Sequence, residues 1–136
     1  MNKLLAKFHH VGIAVENLEN SINLFHAIGF ELETNEIIDE NQGIKLIFMT
    51  NNTLRIELIA NYHNSKLISP WLKTSKIRPY HFAYLVSDLL NTIQYMTERG
   101  FKLIKEPIRA KAFGGKLIAF LISKELFIIE LIEEME

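Results

Sequence analysis

An α+β fold of two βαβββ modules is predicted by three features of the sequence. The chain repeats itself, each copy opens and closes on strand-like runs, and each holds one amphipathic helix ended by glycine. Adding 71 to His10 reaches His81, and the same offset links Val15 to Val86, Leu18 to Leu89, Asn20 to Asn91, Ile22 to Ile93, Gly29 to Gly100, Phe30 to Phe101 and Leu32 to Leu103. Each copy then closes on an apolar run that contains a glutamate, Glu57 in "RIELIA" and Glu130 in "IIELI". Those two stand 73 apart, so the second copy has gained two residues on the way.

The elements follow in chain order. Residues 8–15, "FHHVGIAV", alternate and are rich in β-branched and aromatic types, which predicts a strand. In "ENLENSINLFHAIGF" the residues Leu18, Ile22, Phe25 and Ile28 have helical spacing, with Gly29 as the stop. Strand-like runs follow at 30–38, 43–50 and 53–60, the last two joined by the turn residues "TNNT". The second copy repeats the order. It has a strand at 80–86, a helix capped by Ser87 or Asp88 and ended by Gly100, and strands at 101–105, 115–122 and 125–132. Residues 61–78 have no counterpart. They form a connector in which Ser69-Pro70 suits the start of a short helix. The division is one domain over 1–136, with modules at 6–60 and 79–132 flanking the connector.

Composition narrows the function. Hydrophobic residues make up 49% and charged residues 23%, enough apolar surface to bury a core without disorder. A net charge of −1 gives no reason to expect nucleic acid or an anionic membrane as partner. The absence of cysteine excludes disulfides, thiolate metal sites and a cysteine nucleophile. The first residues are too quickly charged to read as a signal peptide, and no run reaches the roughly 20 apolar residues of a membrane helix. A soluble cytoplasmic protein is expected.

Alternation along the strands places His10 on one face with Gly12 and Ala14, and His81 with Ala83 and Leu85. The bulkier residues point the other way, where a helix would cover them. Glu57 and Glu130 each interrupt an aliphatic strand, and a carboxylate buried alone there costs several kcal/mol. A lone strand histidine is usually structural, and a glutamate near a terminal strand is usually an edge charge. The repeat outweighs both readings, because four accidents would have to fall at matching positions. His10, Glu57, His81 and Glu130 are therefore candidate ligands of one divalent ion, an N/O set suited to Zn, Ni, Co, Mn or Fe. His9 lacks a repeat partner, and His26 and His63 are read as surface residues. "FGG" at 113–115 is a turn and no phosphate loop. Arg109, Lys111 and Lys116 cluster near that turn. They are either a solvated loop or a seat for an anionic substrate tail.

Paired βαβββ modules that donate two ligands each resemble the vicinal oxygen chelate superfamily, which includes glyoxalase I and methylmalonyl-CoA epimerase. The resemblance covers residues 6–132 and rests on "HHVGIAVENLENSINLF", "IELIA", "PYHFAYLVSD", "KAFGGKLIAFL" and "IIELIEE". It implies a curved mixed sheet around a metal-binding cleft, with one divalent ion (Ni, Zn or Co) on His10, Glu57, His81 and Glu130. It further implies a lyase/isomerase of glyoxalase I type, the lactoylglutathione lyase reaction. A 2-oxoaldehyde–thiol hemithioacetal would become a 2-hydroxyacyl thioester through a metal-stabilised enediolate, with Glu130 as base and Glu57 as second proton carrier. The alternatives are an epimerase-like isomerase of an acyl-CoA or biosynthetic intermediate, and a ligand-binding or resistance module without catalysis.

Departures from the family pattern separate these. Epimerases carry a further glutamate three residues beyond the glycine of a "QG" pair, and here "NQGIKL" puts Leu46 there, which favours glyoxalase chemistry. Glutathione-dependent glyoxalases carry an arginine four residues after the first ligand, where this chain has Ala14. Asn61 matches a thiol-substrate contact of that family. The expected partners are a small-molecule thiol adduct or thioester and, to protect the sheet edges, a second copy of the chain in a homodimer.

Overall fold

The computed structural model describes residues 6–72, 77–124 and 128–134. The fold is α+β, and strand pairings of both senses make its sheets mixed. The chain divides into two compact units. One holds His10–Tyr80, and the other joins the residues up to His9 to those from His81 onward. The division cuts two long strands, β1 (Ala6–Val15) and β6 (Ile77–Val86), rather than the connector.

In the first unit β1 is followed by α1 (Leu18–Ala27), β2 (Glu31–Leu32), β3 (Ile37–Asp39), β4 (Ile44–Asn51), β5 (Leu54–Asn61) and the short α2 (Ser69–Leu72). The strands lie in the order β2-β4-β5-β1, with β3 also on β4. Strand β5 runs parallel to β1 and antiparallel to β4. One sheet face, with Val15, Ile47, Met49, Ile56 and Leu58, packs against Leu18 and the partly buried Ile22 and Phe25 of α1. Burial of such side chains contributes about 1.5–3 kcal/mol each and holds the helix to the sheet. The Asn17 side chain caps α1 by accepting from Asn20 N–H. Gly29 N–H donates to His26 O and Phe30 N–H to Phe25 O, a Schellman closure that uses Gly29 at φ 104°. Ile28 lies beyond the helix and is 67% exposed, so the apolar stripe ends at Phe25.

The second unit repeats this with β6, α3 (Leu89–Thr97), β7 (Lys102–Leu103), β8 (Ile108–Ala110), β9 (Lys116–Ile122) and β10 (Ile129–Glu133). Its strand order is β6-β10-β9-β7, with β8 also on β9. Asp88 rather than Ser87 is the N-cap of α3, and Gly100 closes it with the same pair of bonds as Gly29. Helix residues Leu89, Ile93 and Met96 cover Phe82, Tyr84, Leu121, Ile129 and Leu131. Phe8, from the start of β1, packs edge-to-face on Phe82 and Tyr84.

The expected single strands at 30–38 and 101–105 are each shorter or broken. The first splits into β2 and β3 because Glu33 and Thr34 turn inward on Phe48. Both donate their N–H to Phe48 O, and the Thr34 hydroxyl accepts the Phe48 N–H that a regular ladder would use. Arg55 grips Glu33 through two bonds of 2.9 and 3.0 Å. The second copy reproduces the split, since 31–32 and 37–39 plus 71 give 102–103 and 108–110. Strand β8 therefore lies where periodicity showed no strand, and a single 3₁₀ turn, Lys111–Phe113, follows it. Residues 125–127 of the expected last strand lie outside the described residues.

Candidate active site

Each unit buries one imidazole against one carboxylate. In the first unit His10 Nε2 stands 3.1 Å from Glu57 Oε1. In the second His81 Nε2 stands 2.9 Å from Glu130 Oε1. All four residues are at most 4% exposed. Local strand register explains the pairing. Glu57 lies opposite Gly12 on β1 and opposite Phe48 on β4, and His10 is two residues from Gly12 on the same face. Glu130 lies opposite Ala83 on β6 and opposite Phe120 on β9, with His81 two residues from Ala83. The small residue beside each glutamate leaves room for the imidazole to reach it.

Sequence reading missed the aromatic partner of each pair. Phe48 meets the His10 ring edge-to-face at 5.2 Å, and Phe120 meets His81 at 5.6 Å. Their offset is 72, between the 71 of the histidines and the 73 of the glutamates. One extra residue therefore enters before β9, where 111–115 replace 40–43, and the other enters the β9–β10 connection. The intermediate offset was the available signal, hidden because neither phenylalanine falls on the histidine offset.

The faces around both pairs are apolar. Leu46 pairs across the strands with Ile59 and lies two residues from Phe48, so it is on the Glu57 face. Ile118 and Ile132 pair likewise on the Glu130 face, and all four are buried. Besides the two glutamates, Asp39 is the buried carboxylate among the described residues. It is engaged by Gln42, whose N–H and side-chain amide donate to its two oxygens. An imidazole nitrogen and a carboxylate oxygen are hard-to-borderline donors, and each pair fits a divalent ion as half of an N₂O₂ set.

The remaining candidates have partners of their own. Asn61 ends β5 and holds the connector, accepting Ile68 N–H at 3.2 Å and donating to Ser69 Oγ at 3.2 Å. Arg109 donates to Gly115 O at 2.9 Å, closing the turn that Gly114 and Gly115 make at positive φ. Lys111 opens the 3₁₀ turn and Lys116 pairs with Ala110, so the three cations share one loop base. His9 packs on Phe113, while His26 is exposed and its Nδ1 donates to Phe30 O at 3.1 Å. No helix among the described residues is long and apolar enough to cross a membrane.

Comparison with known proteins gives the family. Residues 9–120 match the model of the glyoxalase/bleomycin resistance protein/dioxygenase superfamily. A mitochondrial methylmalonyl-CoA epimerase of Dictyostelium discoideum is 25% identical over 90% of this chain and 74% of its own length. The crystal structure of methylmalonyl-CoA epimerase from Mycobacterium tuberculosis superposes with a TM-score of 0.82 and 28% identity, covering 100% of this chain and 93% of that one. A variant of the Streptomyces coelicolor epimerase, in complex with 2-nitronate-propionyl-CoA, superposes with a TM-score of 0.75 at 20% identity over 97% and 99%. A family model that spans most of the chain, over a fold shared along its whole length, is decisive: the chain belongs to the glyoxalase/bleomycin resistance protein/dioxygenase superfamily.

Proposed function

We propose that the protein is an isomerase of methylmalonyl-CoA epimerase type, moving a proton at the carbon next to an acyl-CoA thioester carbonyl. The observation that carries this reading is the duplicated buried imidazole–carboxylate pair, in a chain whose named relatives are epimerases. His10, Glu57, His81 and Glu130 are proposed as the joint ligands of one divalent ion, since each offers one nitrogen or oxygen ligand atom. Such an ion, when bound, draws electron density from a carbonyl and so acidifies the neighbouring C–H. Glu130 is the proposed base that takes the proton, and Glu57 the carboxylate that returns one. Buried Leu46 and Ile59 on the Glu57 face, and buried Ile118 and Ile132 on the Glu130 face, surround each pair with apolar groups, which strengthens the charge interactions within it. Arg109, Lys111 and Lys116 are proposed contacts of an anionic substrate group, and Asn61 a substrate contact secondary to its hold on the connector. A cytoplasmic homodimer is the proposed working form.

The test is wash-in of solvent deuterium. Metal-loaded protein in D₂O should exchange the α-proton of methylmalonyl-CoA and interconvert its two epimers. Absence of exchange across a panel of 2-substituted acyl-CoA thioesters would sink this reading. Leu46 favours a second one, the glyoxalase I reaction, because it puts an aliphatic side chain on the Glu57 face at the position where the resemblance to the epimerases expects a further glutamate. Thioester formation from methylglyoxal and a thiol, with no deuterium entering acyl-CoA substrates, would select it.

A further inference from the structure

Strand β7 and the end of β9 form an open groove of about 870 Å³ on the second unit. Its walls include Arg99, Phe101, Lys102, Ile122 and Lys124, and among the described residues no carboxylate lines it. Ile122 is 40% exposed, an unusual position for a strand isoleucine, and the three cations are exposed around it. Arg99 is held in place, its guanidinium 3.5 Å over the Tyr95 ring while Nη1 donates to Tyr95 O. Apolar surface ringed by three positive charges suits an anion that also carries apolar faces, such as a phosphorylated nucleoside.

Register ties the groove to His81. Leu103, Leu121, Ile129 and Phe82 form one row across β7, β9, β10 and β6, and all four contribute to the core under α3. One row along, Lys102 pairs with Ile122, and both fall on the opposite face, the face that carries Phe120, Glu130 and His81. Lys102 and His81 are three strand spacings apart, about 14 Å. The pantetheine arm of a coenzyme A thioester is a chain of that order of length and ends in three phosphate groups on a nucleoside.

We propose that this groove takes the phosphate-bearing nucleotide end of a coenzyme A thioester whose acyl group reaches the His81–Glu130 pair. The assignment names a specificity element and rests on the acyl-CoA reading above. Lys102 and Lys124 supply the charge, and Ile122 the apolar floor on the His81 face.

Two measurements on the full chain separate the groove from the reaction. The first is calorimetric binding of adenosine 3′,5′-bisphosphate at low salt to the wild type and to the double variant Lys102→Glu/Lys124→Glu. The second is the ratio of kcat/KM for an acyl-CoA to that for the matching acyl-pantetheine. The assignment expects nucleotide affinity to fall about tenfold or more in the variant, with salt weakening wild-type binding. The kcat/KM ratio should fall in parallel. Equal nucleotide binding by the two proteins, or no binding by the wild type, overturns the groove assignment even if α-proton exchange proceeds. Nucleotide binding that depends on the two lysines, without exchange of any thioester, supports the groove and overturns the epimerase reading alone.

Discussion

Glu57 and Glu130 sit where an aliphatic side chain would cost less free energy, between Ile56 and Leu58 and between Ile129 and Leu131. A buried carboxylate keeps its charge only with a partner, and removing one member of such a pair costs about 3–5 kcal/mol. Glu130→Gln preserves shape while removing the proposed base. α-Proton exchange is expected to fall about 10²–10⁴-fold. Retention of near wild-type exchange would remove Glu130 from that role. His81→Ala is expected to abolish stoichiometric metal, read by elemental analysis of dialysed protein. Asn61→Ala loses two hydrogen bonds to the connector, each worth about 0.5–1.5 kcal/mol. A urea midpoint that drops while KM holds would confine Asn61 to that structural task.

Elements are set by caps and closures that the repeat uses twice. Gly29 and Gly100 both adopt positive φ to end a helix, yet their surroundings differ. A Cβ on Gly29 would meet Asn51 Nδ2 at 3.2 Å, and one on Gly100 would meet nothing within 4 Å. Both alanine variants carry the left-handed penalty of about 1–2 kcal/mol. Gly29→Ala is expected to be the more destabilising of the two in denaturant titration, and the reverse order would refute this account of the two turns. Helix α3 also has a docking bond that α1 lacks, because Leu89 N–H donates to Glu133 Oε2 and position 60 in the first copy is alanine. Helix α3 was legible from its spacing, its Asp88 and its Gly100. The splits at 33–36 and 104–107 were not, because they arise from bonds to a distant strand.

For the whole molecule, a ligand that binds the folded state and not the unfolded chain stabilises by mass action, about 2.7 kcal/mol at a hundred times its Kd. Stripping metal with a chelator is expected to lower the melting midpoint, and restoring it to raise the midpoint again. His81→Ala should not respond. A midpoint indifferent to metal in the wild type would contradict the proposed site. Sedimentation at micromolar concentration tests the proposed homodimer, which a monomeric profile would exclude.

By itself the sequence determined that the chain is an α+β repeat with a histidine and a glutamate at matching places in each copy. Side-chain periodicity is local, so alternation and helical spacing can be read without a partner in view. Tertiary structure decided which atoms meet. Gly12 and Ala83 make room beside the glutamates, Phe48 and Phe120 brace the imidazoles, and Leu46 lies on the site face, all through register between strands far apart in sequence. It also showed Asn61 pinning the connector through Ile68 N–H and Ser69 Oγ. Register depends on hydrogen bonds between distant segments, and a one-residue slip would reverse every face. The repeat therefore disclosed the chemistry of each half, and strand pairing placed that chemistry on a particular face.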